Sequence, residues 1–133
     1  MRTIKFRGKD IETGEWVYGH FFQRLGHYPT IVEPRPHNGK VMYHEIAVED
    51  KTVGQFTGLF DKNGKEIYEG DIIGCSKPDI KHLIFYNEKQ GRFMAALNGD
   101  IENDYFGVCG LDDSGWNSRK EVIGNIHDNK NIL

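Results

Sequence analysis

The chain has 133 residues and a formal net charge of −3, a length usual for one folded domain. Its lysines and arginines are dispersed rather than gathered into the basic stripe that duplex nucleic acid selects, and no apolar run reaches the ~18 residues of a membrane span. Sixteen glycines without a period argue against collagen and low complexity, and an aromatic share of 12% points to short strands between many turns.

The opening Met-Arg-Thr-Ile-Lys-Phe-Arg lacks the apolar stretch of a secretory signal, so a cytoplasmic protein is expected. Residues 4–6 alternate apolar and basic, the period of a half-buried strand, and residues 10–14 read as a turn. Trp16, Tyr18, His20 and Phe22 fall on alternate positions of the next run, which should pair with the first. After a turn at 26–29, Thr30, Ile31 and Val32 are strand-like. Pro34 and Pro36 remove two backbone donors, so residues 34–39 read as a loop with no central strand. Residues 41–48 return to β character, although 43–48 would also fit a short helix.

Asn63-Gly64 between apolar runs is a strong hairpin signal, because both residues tolerate positive φ. A two-residue loop would pair Phe60 with Ile67, setting Asp61 against Glu66. A type I turn with Gly64 at a bulge would instead set Asp61 against Lys65. Asp at the first turn position and Gly at the fourth favour the bulged form. Gly70-Asp71 makes a second reversal, which the Asp71 side chain can cap. A strand from Ile72 to Cys75 follows, broken at Lys77-Pro78-Asp79. Residues 83–86 and 93–97 flank a turn at 87–91 as a further hairpin. Residues 105–111 are a weaker strand, 112–118 a polar loop around Trp116, and 121–126 a last short strand. Ile132 and Leu133 supply an apolar end able to dock. No window has the apolar three-to-four spacing and caps of a long helix. The expected fold is all-β or β-rich, a single domain over residues 1–133. It is a small barrel or sheet of antiparallel hairpins with at most one or two short helical turns.

Three pieces of the sequence together resemble the YopX family of phage and prophage proteins. The central piece is Thr52-Val53-Gly54-Gln55-Phe56-Thr57-Gly58-Leu59-Phe60-Asp61-Lys62-Asn63-Gly64-Lys65-Glu66-Ile67-Tyr68-Glu69-Gly70-Asp71-Ile72-Ile73. Before it, Ile4-Lys5-Phe6-Arg7-Gly8-Lys9-Asp10 with Trp16-Val17-Tyr18-Gly19 is similar to the opening hairpin of that family. After it, Glu121-Val122-Ile123-Gly124-Asn125-Ile126-His127-Asp128-Asn129 is similar to its close, with Lys130 where such sequences often carry proline. The resemblance implies a β-rich fold, a phage or prophage origin and a bacterial cytoplasm. It brings no catalytic or cofactor residues with it.

The residues themselves offer little chemistry. His20, His27, His37, His44, His82 and His127 are spaced widely, without the paired ligands that pre-arrange a metal site. Asp100, Glu102 and Asp104 alternate as in a calcium loop, but Tyr105 stands where glycine is required and Leu111 where a bidentate acid belongs. No nucleophile elbow, phosphate loop or dinucleotide fingerprint occurs, so no cofactor is expected. Cys75 and Cys109 are too few for a disulfide framework and read as buried thiols, a single cross-link being the alternative.

Trp16, Tyr18 and Tyr68 read as core residues, with an aromatic contact face as the alternative. The loop at 34–40 and the loop around Trp116 remain as contact surfaces, with Arg35, His37 and Trp116 as the residues nominated. The favoured function is an accessory module that binds itself as a homo-oligomer, or a host or phage protein. The alternative is a nucleic-acid-binding β module using Arg2, Lys5, Arg7, Lys9 and Arg24. A metal-dependent or hydrolytic enzyme comes third.

Overall fold

A computed structural model describes residues 1–75, 79–107, 120–129 and 131–133. Among these residues every regular element is a strand except one 3-10 turn, Asp50–Thr52. The strands form two antiparallel sheets, and neither closes on itself. Of the two forms expected, the sheet is the one observed and the barrel is not. The chain divides into two compact units, Met1–Phe56 and Thr57–Leu133, each with its own buried cluster.

The first unit holds β1 (Phe6–Lys9), β2 (Trp16–Phe22), β3 (Thr30–His37), β4 (Lys40–Ala47) and the start of β5 (Gly54–Phe60). Their order is β4-β3-β2-β1-β5. Asp10 builds the first reversal: its carboxylate accepts the Glu12 N–H at 2.9 Å, and its carbonyl accepts the Gly14 N–H at 2.8 Å. Lys9 then stands opposite Trp16. β1 begins later than the alternation at 4–6 suggests, although the Lys5 carbonyl already accepts the Phe56 N–H at 2.9 Å.

Val17, Ile31 and Val48 are buried together, with Phe6, Phe21, Ile46 and Val53 packed around them. Each such side chain taken from water is worth about 1.5–3 kcal/mol. This packing reverses the reading of β2. Val17 and Phe21 point to the core, and Phe21 meets Phe6 with ring centroids 5.4 Å apart. The alternate aromatics therefore mark the outer face, where Tyr18 and His20 are exposed and Trp16 and Phe22 half-buried. Gly19 permits the sheet to form here, since a Cβ at that position would lie 2.0 Å from the Val32 carbonyl oxygen.

In the second unit β5 runs on as one continuous strand and reverses into β6 (Glu66–Tyr68). The second sheet contains β7 (Asp71–Gly74), β8 (Lys81–Asn87), β9 (Arg92–Leu97), β10 (Tyr105–Gly107) and β11 (Glu121–Asn125), in the order β10-β9-β8-β7-β11. Ile67, Ile73, Ile84 and Ala95 are buried together beneath Leu59, Phe93, Phe106 and Val122. Tyr68 is buried too.

Both reversals of the central motif are held by carboxylates. Asp61 N–H donates to the Lys65 carbonyl at 2.8 Å, and Gly64, at φ +80°, donates to the Asp61 carbonyl at 3.0 Å. This is the bulged register, with Asp61 opposite Lys65. Asp71 accepts the Tyr68 N–H at 2.7 Å across the next turn. The hairpin at 87–91 also forms, with the Asn87 carbonyl accepting the Gly91 N–H at 2.7 Å. Near the C-terminal end, Lys81 Nζ donates to the Ile132 carbonyl at 2.8 Å, holding that segment against β8. Of the weak strand at 105–111, β10 accounts for the first part. Its remainder, the loop at 112–118 with Trp116, and Cys109 lie outside the described residues.

Candidate functional site

The loop expected at 34–40 is instead a β-hairpin. β3 and β4 pair from Thr30↔Ala47 to His37↔Lys40, and only Asn38 and Gly39, at φ +49° and +75°, make the turn. That is the two-residue turn whose twist suits a hairpin. The two prolines are tolerated because of their parity. Residues flanking a two-residue turn exchange hydrogen bonds, and the pattern then alternates. His37↔Lys40, Arg35↔Met42 and Glu33↔His44 are thus the bonded pairs. Pro34 and Pro36 sit between them, where a backbone N–H would point away from β4 and is not needed. β2 pairs with β3 only from Thr30 to Val32, so no strand lies along that outer side at the prolines. The expectation that no central strand runs through 34–36 holds, but the segment is an edge strand and not a loop. The helix considered at 43–48 is the strand β4.

The far part of this hairpin is an arm with solvent on both faces. Residues 34–45 are all exposed. The arm nonetheless carries three consecutive apolar side chains, Val41, Met42 and Tyr43, exposed by 57%, 47% and 65%. Pro34 stands opposite Tyr43 and Pro36 opposite Val41, so these four share a face, with Met42 on the other. Arg35 and His37, nominated from the sequence, lie on this arm. Arg35 Nε binds Glu33 Oε1 at 2.7 Å, while His37 Nε2 lies 3.4 Å from Asn38 Nδ2. The site missed from the sequence is the apolar run beside them. Its signal was present: Asn-Gly between two extended runs, with prolines at alternate positions.

At the base of the arm an open cleft of about 470 Å³ is lined by Ile4, Lys5, Tyr18, His20, Glu33 and Pro34. Its carboxylate is already engaged. Glu33 accepts the Tyr18 N–H at 3.2 Å through one oxygen and Arg35 through the other. The cleft therefore marks where β2 and β3 part, with a side chain replacing the missing backbone partner.

Among the described residues no three His, Cys, Asp or Glu side chains come together as metal ligands. Asp100 accepts the Asn103 N–H at 3.1 Å and closes its own turn. Of the basic residues, Arg7 is buried with its guanidinium 4.5 Å from the Trp16 ring centre, and Lys9 lies over the same ring at 5.4 Å. Lys5 lies over Phe56 at 5.4 Å, and Arg24 pairs with Glu45 at 3.3 Å. Lys5, just before β1, and Arg7 and Lys9 within it fall on alternate positions and share one face, lying against Phe56 and Trp16, while Arg24 stays more than half exposed in its pair.

In the second unit the carboxylate of Asp61 is held by three backbone N–H groups. Burial pushes its carboxyl up, but N–H groups of Val122, Lys65 and Asn63 at 3.0, 2.9 and 2.8 Å prevail, with help from the Lys65 charge, and hold it below the usual value. The pKa of His82 is lowered as well, which for a base favours the neutral form. Burial lowers its imidazole against the opposing pull of Asp104, and Phe106 meets its ring edge-on at 5.2 Å.

The YopX protein family matches residues 5–133, nearly the whole chain. The chain belongs to the YopX family. The family match spans both units, and it takes in the arm and the two carboxylate-held turns alike. No curated protein matches the sequence. Among solved structures the chain is similar to the crystal structure of protein EF1440 from Enterococcus faecalis, with 25% identity and a TM-score of 0.62. That similarity covers 100% of this chain and 99% of the other. Among the described residues no helix is long and apolar enough to cross a membrane.

Proposed function

We propose that this YopX-family chain is a phage or prophage accessory protein that acts by protein contact in the bacterial cytoplasm, as a homo-oligomer and without catalysis of its own. The observation that carries this reading is the arm. Three neighbouring apolar side chains stand in solvent on a two-stranded hairpin, where they add nothing to the buried cluster of their own unit. Exposed apolar residues scattered singly are ordinary, whereas Val41 and Tyr43 with Pro34 and Pro36 make one exposed apolar face on a projecting element, which marks a contact surface. Arg7 and Lys9 lie over Trp16 and Lys5 over Phe56, contacts that occupy aromatic faces a stacked base would need, and this favours protein contact over nucleic-acid binding.

The test is site-specific photo-crosslinking in infected or induced host cells. A benzophenone side chain at position 43 is compared with one at Glu12, an exposed turn residue on another part of the unit. Nuclease-resistant protein adducts are expected at 43 and not at 12. Equal yields at both positions, or adducts that nuclease removes, would overturn the reading.

A further inference from the structure

We propose that the occupant of the arm is a second copy of this chain, paired antiparallel along β4 about a two-fold axis through Met42. The inference rests on the contact reading above and specifies its partner and geometry.

The first argument is which edge is open. β4 is the last strand of its sheet. Because Lys40, Met42 and His44 turn their backbone groups toward β3, those of Val41, Tyr43 and Glu45 turn outward. On the opposite side of the arm Pro34 and Pro36 occupy the outward positions and supply no N–H. One edge can therefore accept a strand and the other cannot.

The second argument is length and symmetry. The open edge begins at the Asn38-Gly39 turn. It ends after Glu45, because the Ala47 carbonyl accepts the Ile11 N–H at 3.1 Å. The middle of the span from Gly39 to Glu45 is Met42. An antiparallel ladder needs outward residues opposite outward residues, and a dyad at Met42 satisfies this. Val41 then faces the partner's Tyr43, and Met42 faces the partner's Met42. The two reciprocal Val41–Tyr43 pairs supply about four backbone hydrogen bonds. All three exposed apolar residues fall at the centre of the pairing. Lys40 falls opposite the partner's His44 and Glu45 opposite the partner's Gly39, so no acid meets acid. An edge built for an unrelated strand has no reason to centre its apolar residues on its own midpoint, whereas an isologous contact requires it.

Two variants of the full chain test the geometry. Tyr43→Pro places proline at an outward position, the same kind that Pro34 occupies directly opposite, so the hairpin keeps its internal hydrogen bonds. Light scattering on the unaltered protein should give twice the 15.3 kDa chain mass. Tyr43→Pro should give the single-chain mass with an unchanged far-ultraviolet spectrum, and Tyr43→Phe should remain paired. Independently, Met42→Cys places a thiol on the dyad, at a non-hydrogen-bonded position where a cross-strand disulfide fits. With oxidised glutathione it should form a covalent dimer at least tenfold faster than His44→Cys, whose counterpart lies elsewhere. A single-chain mass for the unaltered protein, or equal cross-linking of the two cysteine variants, overturns self-pairing. If protein adducts at position 43 persist in that case, the arm holds a foreign strand: protein contact stands as the function, and a single-chain mass removes the homo-oligomer from it. If they are absent as well, both fall.

Discussion

Asp61 shows how much one side chain can hold. It accepts three backbone N–H groups from two separate segments, the turn at 63–65 and the start of β11. Charge-assisted bonds of this kind are worth more than neutral ones, and each donor left buried without a partner carries its own penalty. Asp61→Ala should therefore destabilise the protein by about 2–4 kcal/mol in urea titration, with Asp61→Asn intermediate. Because its folded pKa is depressed, this stabilisation is present above the ordinary carboxyl value and is lost as pH falls through the folded one. His82 gives a window at milder acidity. Its folded pKa is also lowered, so the unfolded chain takes up the proton first. Stability should fall as pH drops below about 6.5 and level once the folded imidazole titrates. The urea midpoint measured between pH 8 and 5 should show this slope, and His82→Leu should flatten it. The turn role of Asp61 was legible in the sequence, since Asp at the first turn position and Gly at the fourth specify the bulge. Its bond to Val122 was not, because no local pattern records a contact 61 residues away.

At the level of elements, local alternation was a good guide to where strands lie and a poor one to which face is buried. The aromatic positions of β2 were read as the inner face, but the core takes Val17 and Phe21. Arg7 and Lys9 over Trp16 explain the error: the outer face uses its aromatic surface to hold cations. The arm was misread for a different reason. Proline was treated as a strand breaker, whereas two prolines two residues apart project to one side and cost the ladder nothing when that side is open. Among the described residues the expected hairpins at 63–64 and 87–91 are in place. A nominated contact residue, Trp116, lies outside them. Arg35 and His37, expected on a loop, lie on the hairpin arm, and exposed polar residues gave no hint that their apolar neighbours also lay in solvent.

For the molecule as a whole, fold class and family were legible because both rest on turn chemistry, which is written locally. The division into two buried clusters was not, because it depends on which hairpins share a core. Most pairings join strands adjacent in sequence: β1 with β2, β2 with β3, β3 with β4, β7 with β8, and β8 with β9. β11 is different, returning to lie against β7. This gives the chain an order of assembly. Hairpins close in about 1–10 μs, whereas bringing distant segments together first costs loop-closure entropy. The Asn63 and Lys65 N–H groups can reach Asp61 as soon as their turn forms, but Val122 follows five intervening strands, β6 to β10. Pulse-labelled amide exchange during refolding should find Lys65 protected before Val122, and simultaneous protection would contradict the sequence of events. The carboxylate that secures the central motif is thus also a latch, half set by its own turn and completed only when the last strand arrives.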